Sequence, residues 1–227
     1  MKYTYIGHGT HGLEIGGKKI LIDPFFTNNP STNVSADSVE TDFILVSHGH
    51  FDHVGDLIPI ARRTGAKVIS NLEIVTWVQK QGIPEAQTHP QHIGGGFNHD
   101  FGHLKLTIAH HGSGLPDGSY GGNPAGLLVT AEGKKVYFAC DTALFLDMQL
   151  YGEEGIDLFV TPIGDNFTMG PEDALRAVKL VQPRISVPCH YNTWPPITQS
   201  AELWAERVEA ETDTKVHVLA PGASLDL

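Results

Sequence analysis

The segment His48-Gly49-His50-Phe51-Asp52-His53 places three imidazoles and a carboxylate directly after the apolar run Asp42-Phe43-Ile44-Leu45-Val46-Ser47. The run reads as a buried strand, and the glycine-containing cluster behind it reads as the loop at the strand's end. In open α/β sheets, ligands bind outside the carboxyl ends of strands, so these side chains meet where such proteins build their sites. Imidazole nitrogen and carboxylate oxygen together suit zinc, manganese or iron(II). A solvated polar loop explains one histidine at such a place; it does not explain H-x-H-x-D-H.

The same strand-then-polar context recurs three times. His111 follows the run ending at Ile108, Asp141 the run ending at Phe138, and His190 the run ending at Val187. Taken singly, each could be a hydrogen-bonded residue at a strand end. The recurrence of the context makes them candidate partners of the first cluster, since four groups in one loop seldom close around one ion.

Apolar patterning predicts short strands at Tyr3–Ile6, Leu13–Ile15 and Lys19–Ile22, with Gly16-Gly17 as a hairpin signal between the last two. Strands follow at 43–47, 67–70, 104–108, 126–131, 135–139, 157–162, 185–188 and 215–219. Helices are expected over 56–64, 72–81, 144–151, 171–181 and 201–211, with Pro171 at a first helical position. Hairpins first, then alternating strand and helix, twice over, predict an α/β fold of two mixed sheets with helices outside rather than one parallel sheet. No linker or low-complexity segment divides the chain, so residues 1–227 are expected to form a single domain.

Among the 227 residues, Lys plus Arg number 15 against 26 Asp plus Glu, for a formal net charge of −11. With no basic run to override it, this charge disfavours nucleic acid as a partner. Cys140 and Cys189 make no disulfide framework. The amino terminus lacks the features of a signal peptide, and no apolar stretch approaches the ~18 residues of a membrane span. These readings predict a cytoplasmic protein without membrane attachment that acts on a small-molecule substrate, with self-association left open.

His48-x-His50-x-Asp52-His53, His111, Asp141 and His190 resemble the ligand set of the metallo-β-lactamase superfamily of binuclear metal hydrolases. More narrowly, Gly7-His8, Asp23-Pro24-Phe25, Pro162-Ile163-Gly164-Asp165 and His190-Tyr191-Asn192-Thr193 resemble the UPF0173 metal-dependent hydrolases and the related ascorbate-6-phosphate lactonase-like proteins. The resemblance spans essentially the whole chain and implies a four-layer αββα sandwich. It also implies that His48, His50 and His111 hold one divalent ion, that Asp52, His53 and His190 hold a second, and that Asp141 bridges them. The ions expected are Zn²⁺ or Mn²⁺, with Fe²⁺ or Ni²⁺ as alternatives. Of the pair His110-His111, neighbouring residues of a strand face opposite ways, so one ligand is expected, and the resemblance implies His111, which directly precedes the Gly112-Ser113 turn as the family's ligand precedes its own loop. Where relatives usually carry a small residue before the bridging Asp, this chain has Cys140. Neither cysteine matches the zinc-binding cysteine of antibiotic-hydrolysing members.

Other residues stay open between two readings. His8, in the turn Gly7-His8-Gly9, is either a residue beside the metals, as a support for a ligand or as the catalytic acid for the leaving group, or a solvent-exposed turn histidine. Asp23 either orients a ligand histidine through its other ring nitrogen or caps a turn. His92, His99 and His103 read as loop or surface residues. With Asp52 and Asp141 as catalytic carboxylates, the set implies a metal-bridging hydroxide attacking a phosphodiester or phosphorylated small molecule, with an ester or lactone close behind. The competing readings are a di-iron oxidoreductase and a non-catalytic metal-binding protein on the same scaffold.

Overall fold

A computed structural model describes residues Met1–Leu227. In chain order the strands are β1 (Lys2–Gly7), β2 (Thr10–Ile15), β3 (Lys18–Ile22), β4 (Phe43–Leu45), β5 (Lys67–Ser70), β6 (Thr88–Pro90), β7 (Gly96–His99), β8 (Gly102–Ile108), β9 (Ala125–Ala131), β10 (Lys134–Phe138), β11 (Leu158–Pro162), β12 (Ile185–Cys189), β13 (Lys215–Val216) and β14 (Ser224–Asp226). The helices are α1 (Phe51–Val54), α2 (Leu57–Thr64), α3 (Leu72–Lys80), α4 (Met148–Gly152), α5 (Pro171–Val181) and α6 (Ala201–Glu211).

The strands form two seven-stranded mixed sheets, ordered β14-β1-β2-β3-β4-β5-β6 and β13-β12-β11-β10-β9-β8-β7. Successive side chains of a strand point to opposite faces, and here both faces are apolar. Ile20, Leu45, Ile69, Leu127, Val136, Phe138, Leu158 and Val160 fill the space between the sheets. Their neighbours Leu21, Ile44, Val46 and Val68 pack under helices α1–α3, whereas Leu128, Tyr137 and Phe159 pack under α4–α6. The result is the four-layer αββα sandwich. Strands buried on both faces read as continuous apolar runs rather than alternating ones, which is why the 43–47 and 157–162 runs lack a polar phase. No helix is long and apolar enough to cross a membrane.

Helices 171–181 and 201–211 begin and end where the sequence places them. Ser200 caps α6 by accepting from the Leu203 N–H, and Pro171 supplies a preset φ at the start of α5. Elsewhere the structure corrects the sequence reading. The strand expected over 43–47 pairs only to Leu45, and the helix expected over 144–151 shortens to Met148–Gly152. The chain does not close on the 215–219 strand. It crosses to the other sheet, where β14 pairs antiparallel with β1, Leu225 opposite Tyr3. Strands β6 and β7 were also not expected. They are short edge strands, too brief for a periodic signal.

Candidate metal centre

Every candidate ligand lies just beyond the carboxyl end of a strand. β1 leads to His8, β3 to Asp23 and β4 to the His48–His53 segment, while β8, β10 and β12 lead to His111, Asp141 and His190. Strands β1, β3 and β4 run in one direction, because β2 is antiparallel to β1 and β3, and β4 is parallel to β3. By the same pairing logic β8, β10 and β12 share a direction. The ligand-bearing ends of each sheet therefore open on one edge of the sandwich.

The H-x-H-x-D-H segment is loop only in its first half. His50 is the N-terminal flank of the one-turn helix α1, which carries Asp52 and His53. The break in geometry divides the motif: His48 Nε2 and His50 Nδ1 face each other at 3.0 Å, while Asp52 and His53 turn toward His190. Two groups of donors result, His48-His50-His111 and His8-Asp52-His53-His190, and a third, Asp23-His48-His53, joins them from behind, each with its ligand atoms within 4.8 Å of one another.

Asp141 stands between the groups. Its Oδ2 lies 3.1 Å from His190 Nε2, 3.4 Å from His53 Nε2, 3.4 Å from His111 Nε2 and 3.9 Å from His48 Nε2. One oxygen thus faces two imidazoles from each group. The buried nitrogens His53 Nε2 and both ring nitrogens of His190 have no hydrogen-bond partner. Buried polar atoms without partners are costly, and here they point into a His/Asp cluster of the donor type that binds divalent ions. The residues fit such ions.

Behind the cluster a hydrogen-bond chain sets which ring nitrogens carry protons. The Asp23 carboxylate only accepts, taking Ser47 Oγ–H at 2.6 Å, the Ser47 backbone N–H at 2.7 Å and His53 Nδ1–H at 2.8 Å. Because the Ser47 hydroxyl proton goes to Asp23, Ser47 Oγ accepts from His48 Nδ1–H at 2.9 Å. Nε2 is then the nitrogen that each histidine turns toward the cluster, the arrangement that outer hydrogen bonds impose on metal-binding imidazoles. Of its two readings, Asp23 takes the orienting one. Ser47 was missed from sequence; its only signal was its place as the last residue of the apolar run.

His8 is not at the surface. It is fully buried, and its Nε2–H donates to Asp52 Oδ2 at 3.0 Å. Its Nδ1 accepts from Thr193 Oγ1–H at 2.7 Å, and Thr193 in turn accepts from Ser31. Both nitrogens are engaged and the ring lies outside the cavity lining, so these contacts place His8 to hold the Asp52 carboxylate; the ring also stands in the donor group with Asp52, His53 and His190. Gly9 is required beside it, since a Cβ there would lie 2.8 Å from His53 Cε1.

Burial, followed by the neighbouring His190, pushes the His8 pKa down to about 4, so this imidazole is neutral at physiological pH. Burial likewise holds His48, His50 and His111 below the ordinary histidine value. For His53 and His190 burial opposes the charged form, but Asp141 and the neighbouring carboxylates outweigh it, raising His190 to about 9 and His53 well above its usual value. Burial works against ionised Asp52 and Asp141 too, yet the facing histidines keep both below the carboxylate range. Anionic Asp52 and Asp141 thus hold positive charge on His53 and His190, charge that a bound divalent cation would supply in its place.

His111 faces Asp141, whereas His110 is exposed and packs edge-on against Phe145, ring centroids 5.1 Å apart. His99 and His103 are strand residues of the β7–β8 hairpin rather than loop residues, and with the exposed His92 they lie outside the cluster. Cys189 packs between the sheets, and neither sulfur joins a donor group. Cys140 sits at φ +53°, a left-handed conformation that suits glycine, which gives a physical reason for the small residue usual there. His8, Asp23 and His190 adopt the same region, φ +49° to +58°. Such strain clusters at functional sites.

The cluster opens on a cavity of about 500 Å³. His50, Asp52, His111, Asp141 and His190 line its floor, and Phe51, Phe167, Trp194 and Pro196 form its walls. Phe167 belongs to Asp165-Asn166-Phe167, a loop that the sequence allows either as a pocket former or as a turn, whereas Phe51, Trp194 and Pro196 carry no such signal, although Phe51 lies inside the motif.

Facing mixed sheets with a buried His/Asp centre at their shared edge define a class of metal-dependent hydrolase. Residues 18–191 match the Beta-lactamase superfamily domain. A UPF0173 metal-dependent hydrolase of Pelotomaculum thermopropionicum is 47% identical over 232 residues, covering 100% of both chains. Another, from Bacillus thuringiensis subsp. konkukian, is 49% identical over 233 residues with the same coverage. A solved metallo hydrolase from the hyperthermophilic archaeon Ignicoccus hospitalis is similar at a TM-score of 0.89 and 37% identity, covering 99% of this chain and 97% of that one. The chain belongs to the metallo-β-lactamase superfamily and, within it, to the UPF0173 family of metal-dependent hydrolases.

Proposed function

We propose that the protein is a binuclear metal hydrolase acting on uncharged ester or lactone substrates. The observation that carries the binuclear reading is Asp141 Oδ2, which faces imidazoles of both donor groups. His48, His50 and His111 would hold one ion, Asp52, His53 and His190 the other, with Asp141 shared. When bound, such ions supply a water acidified to near-neutral pKa and a Lewis acid for the attacked oxygen.

The protein's own residues do the rest. Asp23 and Ser47 keep the Nδ1 protons on His53 and His48, and His8 fixes the Asp52 carboxylate. Phe51, Phe167 and Trp194 exclude water from one side of the cavity and offer apolar surface to the substrate. The chain's 15 basic side chains are all absent from the cavity lining. A phosphate monoester carries up to two negative charges, and recognising it normally takes Arg or Lys beside the metals. This moves the preference from a phosphorylated small molecule, favoured on sequence grounds, to an uncharged acyl compound.

Reconstitution with excess Zn²⁺ or Mn²⁺ is expected to load two ions per chain, read by elemental analysis; saturation at one ion would remove the binuclear reading. With the loaded enzyme, kcat/KM for simple aryl esters or lactones should exceed that for p-nitrophenyl phosphate and for nitrocefin by about tenfold or more, a difference of one or two interactions in the transition state. Faster turnover of the phosphate monoester or of the β-lactam would overturn the substrate assignment.

A further inference from the structure

Behind the Phe51–Trp194 wall lies a second apolar groove of about 530 Å³, bounded by Phe25, Ile58, Trp77 and Pro116. It shares Phe51 and Trp194 with the metal-site cavity. The rings of Phe25, Phe51 and Trp194 touch in a triangle, centroids 5.9 to 6.2 Å apart. Phe51 is nonetheless 58% exposed, at a position flanked in sequence by two candidate ligands, His50 and Asp52. A large ring left this far in water beside a reactive centre is a surface made for an apolar contact. Trp77 gives its Nε1–H to Asp117 at 2.8 Å, which leaves its indole as plain apolar wall. No charged side chain lines the groove.

We infer that this groove is the subsite for the apolar tail of the substrate, an alkyl or aryl chain that leaves the metal centre across the Phe51 ring. The inference rests on the reading of the cavity as the site of an uncharged ester or lactone, and it commits to one occupant: the hydrocarbon portion of that molecule. Two hollows that share Phe51 and Trp194 as a common aromatic wall are what point to it. A chain that follows the groove buries methylenes, each strengthening binding by about fourfold.

The test uses the full-length protein and straight-chain alkan-1-ols from butanol to decanol, followed by intrinsic tryptophan fluorescence. Trp77 and Trp194 border the groove, while Trp204 is buried elsewhere. Kd is expected to fall by about fourfold per methylene over at least three methylenes. Ile58→Asp, at a half-buried helix position, and Pro116→Asp, on an exposed loop, should each flatten that dependence; either folded variant decides the matter. A flat series, or a steep one that neither variant alters, overturns the groove. In a parallel arm, the decanoate-to-acetate ratio of kcat/KM for p-nitrophenyl esters should be high in the parent and collapse in the variants. Chain-length-dependent alcohol binding without turnover of any ester would sink the ester reading and leave the groove standing. Acetate turnover with flat series in both arms would do the reverse.

Discussion

Asp141→Ala should abolish hydrolysis, lowering kcat by about 10³-fold or more, and should deplete metal from both donor groups at once. The carboxylate is buried and its Oδ2 faces His48 and His111 on one side and His53 and His190 on the other. Removing it takes away the one anion shared by the two triads and leaves four imidazoles facing one another without it. Loss of the acidified water alone would cost orders of magnitude, because free water is a far weaker acid than metal-bound water. Asp141→Asn separates charge from packing: the amide fills the same volume but is a poor ligand for a divalent ion, so it should resemble the Ala variant in metal content. Elemental analysis alongside kinetics checks both. An Asp141→Ala protein with full metal content and more than about a tenth of parental activity would show that the carboxylate bridges nothing.

The adjacent histidines give a sharper contrast. His111→Ala should reduce kcat/KM by about 10²-fold or more, the scale on which disturbing a metal ligand or its support acts. His110→Ala should change it by less than about threefold. The side chains diverge although the residues are neighbours: His111 Nε2 lies 3.4 Å from Asp141, whereas the His110 ring is exposed against Phe145. Only the backbone of His110 is tied down, through its N–H to Thr142 Oγ1 and its carbonyl from Ala143, and these bonds survive the substitution. An inactive His110 variant beside an active His111 variant would reverse the assignment.

Much of the centre is legible in the chain because each ligand is announced locally. An apolar run buried on both faces ends, and the polar side chains just after it must leave the sheet at its edge; this brings His48, His111, Asp141 and His190 into view but does not by itself choose His111 over His110. The helices at 171–181 and 201–211 are legible for the same kind of reason, since proline at the first turn and a serine cap are signals written within a few residues. The one-turn helix α1 is not legible, being too short to show a period, and the strand at 224–226 is set by an edge of β1 that lies at the other end of the chain.

What the sequence determined by itself is therefore the layered α/β architecture and the identity of the groups that gather at the strand ends. Apolar periodicity and ligand chemistry act over a few residues and need no knowledge of the rest. What the tertiary structure alone decided is how those groups relate to their surroundings. It buried His8 against Asp52, drew Ser47 and Asp23 into the chain that orients His48 and His53, and set Phe51 against Trp194 as an aromatic wall of a cavity lined by no Lys or Arg. Each of these depends on contacts between segments distant in sequence, whose geometry arises only when two sheets pack face to face and bring their edges together.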